Sequence, residues 1–278
     1  MLITRLAQLH GDRLTETDRR IVSAMRERPH EAAFARAVDL TQPLGLHESA
    51  ATRLAQRLGF EGFPQLREAL RADYLGGDGP SQRVRNRIER TDAASDHLTA
   101  FLAEEIESLR AISMHVTQAD LDATARELLD ARRIHIYGQG NAVVLVEQIA
   151  RRLTRFGLDV VILTGSRRDI AERAAVLAAD DLLLALAFRR APAMLLPLLA
   201  LAADAGARAV LLTDTLVSLS PQPHRTLAAP RGASHDFHTL TVPMAISNAL
   251  VLAIARFAPE RTSRSLDRVE LLLERLDT

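Results

Sequence analysis

Ser49, Arg53 and Gln56 recur at intervals of four and three residues, with Thr52 and Arg57 beside them and His47 just before. Short or planar hydrogen-bonding side chains at this spacing share one helix face and suit base edges and phosphate oxygens. A second set follows a series of apolar runs. Gly138, Gln139, Gly140 and Asn141 come after Ile134–Tyr137 and open a helical pattern. Glycines there let backbone N–H groups approach an anion, and a helix N-terminus favours negative charge. A dinucleotide fingerprint would want a third glycine where Val143 stands, so the spacing predicts a phosphate cradle instead. Ser166, the pair Arg189 and Arg190, and the group Thr213, Asp214, Thr215 and Ser218 follow the next three apolar runs. Hydroxyls, guanidinium groups and loop amides gathered on one edge fit a phosphorylated or carboxylated small molecule. Ser234-His235-Asp236 with His238 has two histidines three apart but no third ligand, so no metal is expected.

The elements that must hold these residues are legible in the pattern. Ala51, Leu54, Ala55 and Leu58 form the i, i+3, i+4, i+7 stripe of an amphipathic helix whose other face carries the polar set. Gly45-Leu46 breaks the chain ahead of it, after a shorter apolar segment with Val38 and Leu40. This is the plan of a helix-turn-helix. Pro43 must end or kink the first helix of the pair, since proline inside a helix costs about 3 kcal/mol. Helices are also predicted over Leu2 to Leu9, from Thr15 (a cap for Asp18) to just before Pro29, over Glu31 to Ala37, and within Gly59 to Tyr74.

Leu75 to Ser81 reads as a linker. The arginine-rich Ser81 to Arg90 reads as a solvated linker helix. Two amphipathic helices follow, Thr99 to Met114 and Ala119 to Leu129. From Arg133 the rhythm changes. Strands at Ile134–Tyr137, Asp159–Leu163, Leu182–Phe188, Ala207–Leu212 and, weakly, Arg225–Ala229 alternate with helices. Helices are read to Phe156, over Ile170–Ala178 and Pro192–Ala205, then Thr241–Phe257 (core or dimer seam) and Thr262–Leu276. Strands apolar throughout mean a parallel sheet covered by helices on both faces, with ligands at the carboxyl ends. The expected fold is therefore two domains: an all-α helix-turn-helix domain over 1–75, connecting segments over 76–130, and an α/β domain over 131–278.

Composition narrows the chemistry. The 278 residues are 47% hydrophobic and 25% charged, which fits ordinary globular domains. Cysteine is absent, so disulfides and thiolate metal sites are excluded. Every basic side chain apart from histidine is arginine, which excludes a Schiff-base or P-loop lysine. Net charge is zero, so any field that attracts DNA must be local. Arg5 and His10 interrupt the N-terminal apolar stretch, and the run Ala191–Ala203 contains Pro192 and Pro197 and is too short to span a bilayer. A cytoplasmic location is expected.

Two stretches, from Leu14 to Leu40 and from Leu44 to Leu70, resemble the N-terminal domain of RpiR-type bacterial transcription regulators. The most specific run is Thr52 to Arg67, TRLAQRLGFEGFPQLR. The segments Ile134–Val161, Asp180–Pro192 and Gly206–Ser218 are similar to the sugar isomerase (SIS) domain that follows it in that family. The resemblance implies that residues 47–57 (His47, Ser49, Thr52, Arg53, Gln56 and Arg57) face a DNA operator, and that the strand-end residues hold a phosphosugar or related anionic effector. It also implies a homodimer or homotetramer, without cofactor and without catalytic residues. Besides Pro43, three places depart from the family: His47 stands where serine or threonine is usual, Asn141 where serine is, and Ala187-Phe188-Arg189-Arg190-Ala191 where a serine-rich loop is common. Glu147 is the carboxylate placed most like an isomerase acid or base, yet a surface or interface role is expected for it. A SIS isomerase with a helical appendage, or a ligand-free dimerisation scaffold, are the alternative readings.

Overall fold

Leu182, Leu184 and Leu186 point to one side of a strand and Leu183 and Ala185 to the other, and all are buried. A strand apolar on both faces must lie inside a sheet with helices on each side. The computed structural model, which describes residues 2–27, 29–76, 84–85, 88, 96–214, 219–232 and 238–276, has this architecture. The chain divides into two compact units with the boundary inside His97–Ala111.

The first unit is helical: α1 (Leu2–Leu9), α2 (Glu16–Glu27), α3 (Pro29–Phe34), α4 (Ala37–Thr41), α5 (Ser49–Arg57) and α6 (Phe63–Gly76). Its core gathers Ile3, Ile21, Met25, Leu40, Leu54, Phe63 and Leu66. The predicted stripe Ala51, Leu54, Ala55 and Leu58 is buried within it. Thr15 and Asp18 start α2: Asp18 accepts from the Thr15 backbone N–H at 2.8 Å and hydroxyl at 2.6 Å, and the Asp18 N–H returns a bond to Thr15 Oγ1 at 3.3 Å. Proline at the head of α3 shifts that helix to begin and end earlier than the pattern suggested.

Helix α7 (His97–Ala111) straddles the boundary, and in the second unit its last turns and α8 (Gln118–Asp130) precede β1 (Ile134–Gly138). There follow α9 (Ala142–Arg155), β2 (Val160–Leu163), α10 (Arg167–Ala174), β3 (Leu182–Leu186), α11 (Leu195–Asp204), β4 (Arg208–Thr213), β5 (Arg225–Ala228), α12 (Thr241–Phe257) and α13 (Pro259–Leu276). The strands are parallel in the order β2-β1-β3-β4-β5. One face packs Ile134, Ile136, Leu184 and Val210 against α8, α9 and α12. The other packs Tyr137, Leu183, Ala185 and Leu211 against α10 and α11. Helix α8 is more than a connector: Thr124, Ala125 and Leu128 are buried, the two alanine and leucine side chains in the sheet's own core. The outer strands β2 and β5 are only four residues each, with Pro221, Pro223 and Pro230 flanking β5.

Several boundaries besides those of α3 differ from the expected ones, and two are instructive. Leu75 and Gly76 extend α6, two residues into the stretch whose composition suggested a linker; the remainder of Leu75–Ser81 lies outside the described residues. Helix α10 starts at Arg167, because Ser166 caps it.

Candidate functional site: a helix-turn-helix face and the carboxyl edge of a parallel sheet

The turn between α4 and α5 is built by Gly45. At φ +69° it takes the left-handed conformation that glycine adopts without steric cost. The Leu46 N–H reaches Thr41 O and the Gly45 N–H reaches Gln42 O, both at 3.0 Å, which is the Schellman arrangement. Pro43 sits in the 3-10 turn Gln42–Leu44, beyond the end of α4, where no helical bond is lost. Arg20 of α2 donates to Leu44 O at 2.9 Å and ties the turn to the core. At the start of α5, His47 Nδ1 accepts from the Ser49 N–H at 3.3 Å and His47 O from the Ala50 N–H at 2.9 Å, so the histidine takes part in capping.

The polar face of α5 then divides. Arg53 is exposed and donates to Ser49 Oγ at 3.1 Å, and Gln56 is exposed beside it. Arg57 instead donates to Asp18 Oδ1 at 2.7 Å, and the Asp18 side chain is buried. Its guanidinium is committed to holding α5 against α2. A groove of about 490 Å³ runs beside the helix, lined by Arg36, Glu48, Ser49, Thr52, Arg53 and Arg67 together with Ala37, Phe63 and Pro64. Arg36 pairs with Asp39 at 2.9 Å, and that hydrogen bond holds the carboxyl below its ordinary range. Arg36, Glu48 and Arg67 are groove residues that helical periodicity within α5 could not reveal. Arg36 and Arg67 come from outside that helix, and Glu48 from its cap.

At the sheet, parallel pairing puts the ends of β1, β2, β3 and β4 on one edge. The chain leaves β1 toward β2 on one side and enters β3 on the other, so the switch point lies between β1 and β3. Gly138 to Asn141 and Arg189 to Arg190 therefore bracket the crevice. Gly138 is a packing residue: an added Cβ would lie 2.7 Å from Val146 Cγ2. Gly140 is in the left-handed region at φ +59° with open space around it, and Asn141 is exposed. Ser166 closes a capping box with Asp169, donating to its carboxylate at 2.7 Å, and this bond lowers the Asp169 pKa.

Asp214 is buried. It accepts from the Arg189 backbone N–H at 2.6 Å and from Arg231 Nε at 2.8 Å and Nη2 at 2.7 Å. Arg231 also lies 4.8 Å from the Phe188 ring centroid. The clamp holds Arg189 at φ +65°. Arg189 is half-buried and Arg190 exposed. Thr213 is buried at the end of β4. Thr215, Ser218 and the Ser234-His235-Asp236 group lie outside the described residues, and His238 is half-buried. Glu147 is exposed on α9 and lines a surface groove with Gln148, Arg151, Arg152 and Arg155.

Residues 1–75 match the model of the rpiR-family helix-turn-helix domain. Those residues are therefore similar to an rpiR-family helix-turn-helix domain. An HTH-type transcriptional regulator of Escherichia coli, YfhH, is 25% identical over 248 residues, covering 86% of this chain and 82% of its own. The first curated relatives are bifunctional glk proteins, such as that of Burkholderia thailandensis, 24% identical over 216 residues and 78% of this chain. This chain spans about a third of their length, 33%. Among solved structures, Vibrio vulnificus NanR complexed with ManNAc-6P superposes with a TM-score of 0.59 at 19% identity, over 99% of each chain. The sugar isomerase domain of an RpiR transcription factor from Sphaerobacter thermophilus gives 0.56 at 24% identity, over 61% of this chain and 95% of its own. The fold is thus a helical helix-turn-helix domain followed by a helix-flanked parallel sheet like that of the sugar isomerase domain. No single described helix is long and apolar enough to cross a membrane.

Proposed function

We propose that the chain is a transcription regulator that binds double-stranded DNA through α5 and senses a small phosphorylated sugar or related anionic metabolite at the carboxyl edge of its sheet. The observation that carries the DNA reading is the groove beside α5, where Arg36, Arg53 and Arg67 from three elements gather around the exposed face of a second helix entered by a glycine turn. The chain as a whole is neutral, and with Arg36 paired to Asp39 and Glu48 in the same groove, Arg53 and Arg67 carry the local attraction that net charge does not supply. His47, Ser49, Thr52, Arg53 and Gln56 are the proposed contacts, with Arg57 acting through position rather than contact.

The effector reading rests on the bracket formed by Gln139, Gly140 and Asn141 on one side of the switch point and Arg189 and Arg190 on the other. The likeness to NanR, whose complex holds ManNAc-6P, supports a phosphorylated ligand. A two-fold operator needs two recognition helices, hence a second copy of the chain. Val144 and Leu252, exposed on α9 and α12 beside the Gln148–Asn248 hydrogen bond at 2.9 Å, support a seam between copies. The protein acts in the cytoplasm on this reading, and no enzymatic step is assigned: Glu147 faces solvent among arginines.

A mobility shift with duplexes from beside the protein's own gene, across a salt series, tests the proposal. Saturable binding that survives competitor DNA is the expected result, weakened by the cognate sugar phosphate or strengthened by it. Binding that is only weak and steeply salt-dependent would reduce the DNA contact to non-specific phosphate attraction.

A further inference from the structure

Glu48 stands in the wrong place for a residue that merely tolerates DNA. It is the N-cap of α5, exposed, and lines the same groove as Arg36, Arg53 and Arg67. Its carboxylate caps nothing, and it forms neither a hydrogen bond nor an ion pair among the described residues. Phosphate oxygens would repel it. The first residues of a recognition helix are those that meet base edges in the major groove, while the flanking elements meet the backbone. A carboxylate accepts there from only one kind of partner, an exocyclic amino group, and the cytosine N4 amine is the one whose own base carries no acceptor on that edge to repel the second oxygen, as adenine N7 would. Arginines beside it favour phosphate and guanine, so the groove holds readers of opposite sign.

We propose that Glu48 is a specificity-determining residue that selects cytosine at one position of each operator half-site. This deepens the DNA-binding reading and rests on it. Removing the carboxylate relaxes that position alone. It leaves the count of phosphate contacts, and so the salt slope, unchanged. Replacing it with glutamine changes the preference rather than abolishing it, because a carboxamide pairs with adenine through N6 and N7. A purely structural role at the helix start, in which negative charge complements the helix dipole, would change stability and no base preference.

The test is selection of duplexes from a randomised pool by the full chain, run in parallel for the wild type, Glu48→Ala and Glu48→Gln at one salt concentration. The wild type is expected to enrich cytosine about tenfold or more at one half-site position. Glu48→Ala should flatten that position, and Glu48→Gln should replace cytosine by adenine there, with the other positions unaltered. Identical preferences in all three proteins would overturn the assignment. So would a uniform loss of affinity across every position in the variants. If the wild type itself enriches no sequence, the regulator reading falls and takes this one with it, whereas a clear wild-type preference that ignores position 48 removes Glu48 alone.

Discussion

Asp214→Ala removes the carboxylate that fixes the loop after β3. Asp214 and Arg231 are both nearly withdrawn from water, with side-chain exposures of 3% and 9%. Breaking a buried pair by deleting one partner costs about 3–5 kcal/mol. The Arg189 N–H loses its acceptor as well, roughly 1–3 kcal/mol when the group stays buried. These overlap, because the loop can relax once the clamp is gone, so about 4 kcal/mol is the working figure. For a domain of this size each kcal/mol moves the melting temperature by about 2–4 °C, so the transition of the sheet domain should fall by roughly 10 °C. Arg231→Ala, which also loses the Phe188 stacking and the bond to Thr239 O at 3.3 Å, should behave similarly. The double variant should be far less destabilised than the sum, with a coupling of about 2 kcal/mol or more. Calorimetry of the full chain measures all four corners of the cycle. A melting temperature within about 2 °C of wild type for Asp214→Ala, or strict additivity, would refute the clamp and return Asp214 to the list of candidate ligand contacts.

Arg53→Ala should leave stability within about 0.5 kcal/mol and weaken operator binding roughly tenfold or more, read by mobility shift. Arg57→Ala should do the reverse in part: stranding the buried Asp18 carboxylate lowers N-terminal domain stability by about 1–3 kcal/mol, discounted because Arg57 is itself a third exposed, and urea unfolding reads it. Gly138→Ala forces a Cβ against Val146 and Ala142, an overpacking worth about 1–3 kcal/mol in the same assay, and near-wild-type stability would show that α9 can move away from β1. His135 is buried on β1, where desolvation lowers its pKa more than its bond to Asp181 raises it, with Arg133 and Arg132 lowering it further. The folded state therefore prefers the neutral ring, so this contribution is complete above about pH 6.5 and is lost as pH falls below that, at up to about 1.4 kcal/mol per pH unit. A His135→Asn variant should show a flatter melting-temperature profile between pH 6.5 and 5, and an unchanged slope would sink the assignment.

Most of the fold was legible because its signals are local. The stripe Ala51–Leu58, the Gly45 turn and the uninterrupted apolar strands each report burial through period alone, and a parallel sheet follows from their alternation with helices. Helix ends were less legible where a cap outranked the apolar pattern, as Ser166 does for α10 and Pro29 for α3. The site was only half legible, for a different reason. Sequence shows which residues share a helix face but not which of them another element has already engaged. Arg57 and Arg53 look alike four residues apart, yet a carboxylate thirty-nine positions upstream engages one of them. That Asp214 is engaged by Arg231 and the Arg189 N–H was hidden for the same reason, and Arg36 and Arg67 were missed because their proximity to α5 exists only after folding.

The two outermost strands have a consequence for how copies of this chain can meet. Each is only four residues long, the Ile162 carbonyl of β2 already accepts from Arg173 at 3.0 Å, and β5 is hemmed by prolines that have no N–H to offer. A sheet that stops so abruptly gives a neighbouring molecule little to zip onto, so growth of fibre-like polymers by strand addition is blocked at both ends. Self-association is left to side chains on helices, whose contacts loosen and re-form with salt, dilution and ligand. Concentrated stocks should accordingly redissolve on dilution, and any higher-order species should exchange subunits freely.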